Sequence, residues 1–99
     1  MDKFFIMEEE MQEVHIEVKG LVQGIGFRAV IKRHALLHNI KGFARNCADG
    51  SVEICAQGTK DQISHFLSLV EKNSGAAKIE ALKAERRSIR CSYDSFEIL

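Results

Sequence analysis

Three glycines fall within seven residues in the run Gly20-Leu21-Val22-Gln23-Gly24-Ile25-Gly26, and a cation, Arg28, follows two residues later. Upstream, Val14, Ile16 and Val18 alternate with His15, Glu17 and Lys19, the period-2 pattern of a strand with one buried face. Downstream, Phe27, Val30, Ile31, His34 with Ala35, and His38 recur at helical spacing, with Lys32 and Arg33 turned outward. A strand that runs through a glycine-rich turn into a helix leaves several backbone N–H groups without internal partners and aims them at one point. Glycines there accept positive φ and keep Cβ atoms away from a phosphate. Arg28 strengthens the anion-binding reading: a cation at the positive end of a helix sits there at an electrostatic cost that a bound phosphate would offset. The spacing also fits an ordinary strand-to-helix connection. It matches neither the dinucleotide fingerprint with its later acidic residue nor the P-loop with its terminal Lys and Ser or Thr.

The second candidate is Asn46, an amide near the end of a short strand predicted over about Lys41 to Cys47. Asn is a poor strand residue, so its plainer role is turn chemistry, an Asx-turn bridging toward Asp49. A second strand, Ser51 to Gln57, is separated from the first by Ala48-Asp49-Gly50, whose Asp-Gly pair suits a tight hairpin. Asn39 sits where the first helix should stop in a left-handed residue. Thr59-Lys60-Asp61-Gln62 reads as a capping box ahead of Ile63, Phe66, Leu67 and Val70, an amphipathic helix stopping near Gly75. Residues 78 to 90 alternate loosely and end in Arg86-Arg87-Ser88-Ile89-Arg90, as expected of an edge strand guarded by charge. The last strand is expected over Tyr93 to Leu99, burying Phe96 and Ile98. The order strand, helix, strand, strand, helix, strand, with a short final strand, is the α+β ferredoxin-like split βαβ plan, two helices on one face of an antiparallel sheet. Many unrelated functions use it.

Composition narrows the classes. At 99 residues, 45% apolar and 28% charged, the chain makes one small globular domain. Its formal net charge of zero conceals a segregation. Residues 1 to 17 hold six acids against Lys3, whereas residues 18 to 46 hold six bases and no acid, a basic third that suits an anionic partner. Cys47, Cys55 and Cys91 form no CxxC and leave an odd thiol, which points to a reducing, cytoplasmic location. The apolar run Phe4-Phe5-Ile6-Met7 is too short for a signal sequence or a membrane span, which need roughly 7 and 18 apolar residues at least. Residues 1–12 are expected to be a tail ahead of a domain over 13–99, with Met7 and Met11 as alternative starts.

Taken together, Gly20-Leu21-Val22-Gln23-Gly24-Ile25-Gly26-Phe27-Arg28, Gly42-Phe43-Ala44-Arg45-Asn46 and Asp49-Gly50-Ser51-Val52-Glu53 resemble the signature of the acylphosphatases, a G-x-V-Q-G-V-G-F-R loop with a later G-x-V-R-N strand and D-G-x-V-E hairpin. The likeness runs over residues 13–99. It implies a phosphate cradle at Leu21, Val22, Gln23, Gly24, Ile25, Gly26 and Phe27, a phosphate-gripping Arg28 and a water-orienting Asn46. Departures are Ile25 and Ala44 for Val, His38 for Leu, Asn39 for Gly, and Ser74-Gly75-Ala76 for a Gly-Pro step; none touches Arg28 or Asn46. It further implies a small acyl phosphate as substrate, inorganic phosphate as product, no cofactor, and a monomer that binds neither nucleic acid nor membrane.

That reaction suits what the sequence lacks. No Ser/His/Asp set, no paired carboxylates near the loop and no His/Cys/Asp set at metal spacing is evident, which leaves positioning and charge as the means of catalysis. An acyl phosphate expels a carboxylate whose conjugate acid has a pKa of roughly 4, so the leaving group needs no proton. His34 and His38 lie one turn apart on the first helix without a third ligand, and His15 and His65 read as solvated. Cys47, next to Asn46, reads as a small hydrophobe rather than a redox switch. An RNA-binding role would need several exposed aromatics on the sheet, and Phe43 is the one plausible residue. Two other readings are a domain handling carbamoyl phosphate, as at the front of a hydrogenase maturation factor for whose remainder a 99-residue chain has no room, and a regulatory ligand-binding domain without catalysis.

Overall fold

The computed structural model describes residues 10–99, so the Phe4 to Met7 run lies outside the described residues. Strand β1 (Met11–Leu21) is followed by α1 (Phe27–Leu37), β2 (Lys41–Asn46), β3 (Val52–Thr59), α2 (Lys60–Lys72), β4 (Lys78–Arg87) and β5 (Phe96–Ile98). The sheet order is β4-β1-β3-β2-β5. β1 pairs antiparallel with both β3 and β4, and β3 antiparallel with β2. The two helices cover one face, as the split βαβ plan requires.

Val14, Ile16 and Val18 face Ala56, Ile54 and Val52 across the β1–β3 ladder. Directly paired residues share a face, so these six form the floor of the core, capped by Phe27, Ile31 and Ala35 of α1 and Ile63, Phe66 and Val70 of α2. Asn39 is left-handed at φ 55°, ending α1 as its residue type suggests. The capping box of α2 is fully formed: the Gln62 N–H donates to Thr59 Oγ1 at 3.2 Å, and the Thr59 N–H donates to Gln62 Oε1 at 2.8 Å.

Four expectations need correction. The sheet is mixed rather than antiparallel, because β5 returns beside β2 in parallel register, Gly42 opposite Phe96 and Ala44 opposite Ile98. That strand is three residues long rather than seven, because Tyr93 bends onto the opposite sheet face, its ring edge-on to Phe43 at 5.8 Å. Ile98 is 40% exposed: it lies where the loop before α1 leaves the sheet edge open, while Phe96 packs beneath the helices. The fourth concerns His15. The sheet face away from the helices is not simply solvated, for the segment before β5 crosses it. The Gln57 amide donates to Cys91 O at 2.7 Å, and the Tyr93 N–H donates to Gln57 Oε1 at 3.1 Å. Glu13, Cys55 and Gln57 are buried beneath that crossing and His15 is half-buried. Strand bounds also move: β1 begins at Met11, two residues before the clean alternation, and the hairpin arms end at Asn46 and begin at Val52.

Removing the cap tests the local logic of α2. Thr59→Ala is expected to lower unfolding free energy by about 1 kcal/mol in urea denaturation, since the Gln62 N–H loses its acceptor.

Candidate functional site

The loop between β1 and α1 takes its shape from two glycines, Gly24 at φ 77° and Gly26 at φ 78°. Both are left-handed, and a Cβ at either would project into open space. The glycines are therefore required by backbone conformation rather than by crowding. Gly26 is the N-cap of α1, no side chain caps that end, and the first turn contains no acidic residue. Helical bonding starts with the Val30 N–H to Gly26 O at 3.2 Å, so the N–H groups of Phe27, Arg28 and Ala29 precede the first helical bond. Val22, Gly24, Gly26, Phe27, Arg28 and Ile98 line an open hollow at this end. Leu21 and Ile25, in the same stretch, are exposed.

Two independent ties bring Arg28 and Asn46 to the same region. In the first, Arg28 Nη1 donates to Leu99 O at 2.7 Å, and the Leu99 N–H donates to Ala44 O at 2.9 Å. Ala44 is two residues before Asn46 on β2, roughly 7 Å at the rise of a strand. In the second, the Gln23 side-chain amide donates to Cys47 O at 2.8 Å and to Ser51 O at 2.9 Å. Those carbonyls flank the hairpin turn immediately after Asn46. The loop is thus fastened to the hairpin by its own side chain, and Arg28 is fastened to β2 through Leu99, the residue after β5.

Asn46 is exposed at the end of β2. The Asx role belongs instead to Asp49, whose carboxylate accepts from the Ser51 N–H at 3.0 Å and from Ser51 Oγ at 2.6 Å. Those bonds hold the Asp49 carboxyl below its ordinary range. Among the described residues, the Asn46 amide enters no hydrogen bond, which leaves it free to hold a water or a ligand.

The family model for acylphosphatases matches residues 14–98. The chain belongs to the acylphosphatase family. It is 37% identical over 89 residues to the acylphosphatase of Bordetella parapertussis, covering 90% of this chain and 95% of that protein. With the acylphosphatase of Leuconostoc mesenteroides it shares 48% over 65 residues, covering 66% and 72% of the two chains. The crystal structure of acylphosphatase from Bacillus subtilis superposes with a TM-score of 0.83 at 30% identity, covering 89% of this chain and 98% of that one. T. kodakarensis HypF superposes at 0.82 with 28% identity, this chain matching 12% of that much longer one.

Other histidines separate by environment. His34 is buried with Nε2 against Asn73 O at 2.7 Å, and His38 lies beside His65 with ring centroids 5.6 Å apart, so the His34/His38 spacing does not make a joint metal pair. A different cluster is present on the opposite sheet face: Glu13, His15 and Cys55 converge, with His15 Nε2 and Glu13 Oε2 at 2.9 Å. Burial opposes the Glu13 charge, but hydrogen bonds from Gln57 and His15 outweigh it and hold its carboxyl below the ordinary value. Burial pushes the Cys55 thiol up to about 12, helped by the neighbouring Glu13. Sequence spacing could not reveal this group, because Cys55 reaches His15 only through the β1–β3 register. The side-chain role of Gln23 was hidden for the same reason, its partners lying 24 and 28 residues away.

The Gln23 tie gives a direct test. Gln23→Leu removes two hydrogen bonds, while Cys47 O and Ser51 O keep their backbone donors from Gly50 and Cys47, and is expected to cost about 1–3 kcal/mol in thermal or urea unfolding. Phosphate protection against unfolding should weaken in the same variant, because the loop loses its anchor to the hairpin.

Proposed function

We infer that the protein is an acylphosphatase: it hydrolyses the carboxyl–phosphate bond of small acyl phosphates to a carboxylate and inorganic phosphate by in-line attack of water. The observation that carries this reading is the uncapped, acid-free N-terminus of α1, with a cation two residues inside it and an unengaged amide at the neighbouring strand end. An anion supplies what that helix end lacks.

In the proposed mechanism the backbone N–H groups of the loop from Leu21 to Phe27 cradle the phosphoryl oxygens, and Arg28 neutralises their charge. The Arg28 bond to Leu99 O uses one Nη1 proton and fixes the guanidinium plane, leaving its other donors for phosphate oxygens. Asn46 orients one water for attack opposite the departing carboxylate. Because that carboxylate leaves unprotonated, no general acid is required, and catalysis rests on orientation and preorganised charge. Val22, Phe27 and Ile98, which line the hollow, offer the acyl group an apolar surface.

The remaining features fit a small soluble catalyst. Phe43, the aromatic that an RNA-binding reading needs, is half-buried against Tyr93. No helix among the described residues is long and apolar enough to cross a membrane. Three free thiols favour a reducing, cytoplasmic setting, where the chain acts as a monomer. The likeness to HypF favours a second reading, a non-catalytic domain that binds acyl or carbamoyl phosphate; turnover separates the two.

Hydrolysis of benzoyl or acetyl phosphate is expected to persist in excess chelator, since every charge-neutralising group proposed belongs to the chain. Binding of phosphate without turnover would instead favour the second reading. Arg28→Ala is expected to lose turnover and phosphate-induced stabilisation together, and Arg28→Lys to restore neither fully, because an ammonium cannot make paired bonds to phosphate. Asn46→Ala is expected to keep phosphate stabilisation while kcat falls roughly a hundredfold. Protection lost with turnover kept in Asn46→Ala would reverse the two roles.

A further inference from the structure

On the sheet face away from the helices, Glu13 and His15 stand two residues apart on β1, and Cys55 lies directly across the ladder from His15 on β3. One ligand atom from each lies within 4.8 Å of the other two. We propose that Glu13, His15 and Cys55 form a binding site for a thiophilic divalent cation of the zinc class, separate from the phosphate loop.

Three observations support the assignment. The donor set, one carboxylate oxygen, one imidazole nitrogen and one thiolate, is a zinc set, and bonds of 2.0–2.3 Å in tetrahedral geometry place donor atoms about 3.5 Å apart. The Glu13–His15 pair, now 2.9 Å apart around a shared proton, needs to open by only about half an ångström to take a metal in place of that proton. Second, among the described residues His15 Nδ1 is buried without a hydrogen-bond partner, and Glu53 Oε2 is 3.8 Å away. With Nε2 on a metal, Nδ1 carries the proton and points it at Glu53, the outer-sphere carboxylate that a metal-bound imidazole ordinarily has. Glu53 is itself held by Arg45 Nε at 2.6 Å.

Third, the ligands are supported from outside. The Gln57 amide donates to Glu13 Oε1 at 2.7 Å, which leaves Oε2 as the free ligand oxygen. Above the group is a hollow lined by Glu13, His15, Arg87, Arg90, Cys91 and Tyr93, through which an ion can enter and a water can complete four-coordination. Arg87 faces Glu85 at 3.3 Å rather than the ligands. A bound dication with Glu13 carboxylate and Cys55 thiolate is locally neutral, which removes the burial cost of the two negative charges.

Cobalt(II) titration of the full chain, followed by Zn2+ displacement, tests the site. One equivalent of Co2+ is expected to produce a thiolate-to-cobalt charge-transfer band in the near ultraviolet, to be displaced by Zn2+, and to persist in Cys47→Ser and Cys91→Ser. Cys55→Ala should abolish the band, and His15→Gln should weaken Zn2+ binding by roughly tenfold or more. A wild-type chain without the band, or a band surviving in Cys55→Ala, overturns the proposal. So does an unchanged Zn2+ affinity in His15→Gln, which decides the matter should Cys55→Ala fail to fold. Zn2+ is also expected to raise the wild-type melting temperature, and acyl phosphate hydrolysis to be the same with and without it, so the outcome is independent of the reading of the phosphate loop.

Discussion

The Gln23 amide donates to carbonyls on both sides of the β2–β3 turn, and the geometry of the candidate site depends on that pair of hydrogen bonds. A loop with two left-handed glycines has few contacts of its own and would sample many shapes if it were anchored only at its ends. The sheet order supplies the anchor. β1 and β2 both pair antiparallel with β3, so they run the same way, and the end of β1 and the turn after β2 lie at the same end of the sheet, one strand apart. A side chain the length of glutamine spans that gap. The return of β5 beside β2 adds the second fastening, from Arg28 through Leu99 to Ala44. Backbone donors, guanidinium and amide are thus tied into one frame, although they come from two separate stretches of the chain.

The electrostatics of that frame are one-sided. The α1 end has no acid in its first turn, its N-cap is glycine, and the segment from Lys19 to Arg45 contributes only bases. A protein optimised for stability alone would place Ser, Thr or Asp at this cap, as it does with Thr59 at α2. The contrast between the two helices in one small domain is informative: the same fold caps one helix with a full box and leaves the other bare. The bare one adjoins the hollow. The proposed phosphate site therefore lies at the helix end that lacks a cap, where an anion would add stability.

How much of this was legible beforehand follows from how local each signal is. The α2 cap, the left-handed Asn39, the Asp-Gly turn and the buried side of β1 are decided within a few residues, and sequence spacing suffices for them. The loop glycines and Arg28 were likewise readable as a motif. What was not readable is long-range. The parallel pairing of β5 follows from a return path that no three-residue strand announces. The cover over Glu13 and Gln57 comes from residues more than thirty positions away, so alternation correctly sorted β1 into two faces but could not tell that the polar face is also roofed. Asn46 was drawn toward a turn role by its residue type, and only the backbone shows Asp49 performing it.

The division of the sheet into two faces also divides its chemistry. Toward the helices the strands supply the hydrocarbon of the core, and a hollow opens where the loop meets Ile98. Away from them, Glu13, His15, Glu53 and Cys55 face a cover made of a single irregular segment, tied down chiefly by Gln57. A reaction whose leaving group needs no proton can be served by backbone donors and one arginine at the first place. The buried Glu13 carboxylate and Cys55 thiol and the half-buried His15 imidazole at the second have no part in the proposed step, yet retaining them costs desolvation that apolar residues would avoid. That imbalance, polar groups buried where neither fold nor hydrolysis requires them, is what gives the second face a claim to a ligand of its own.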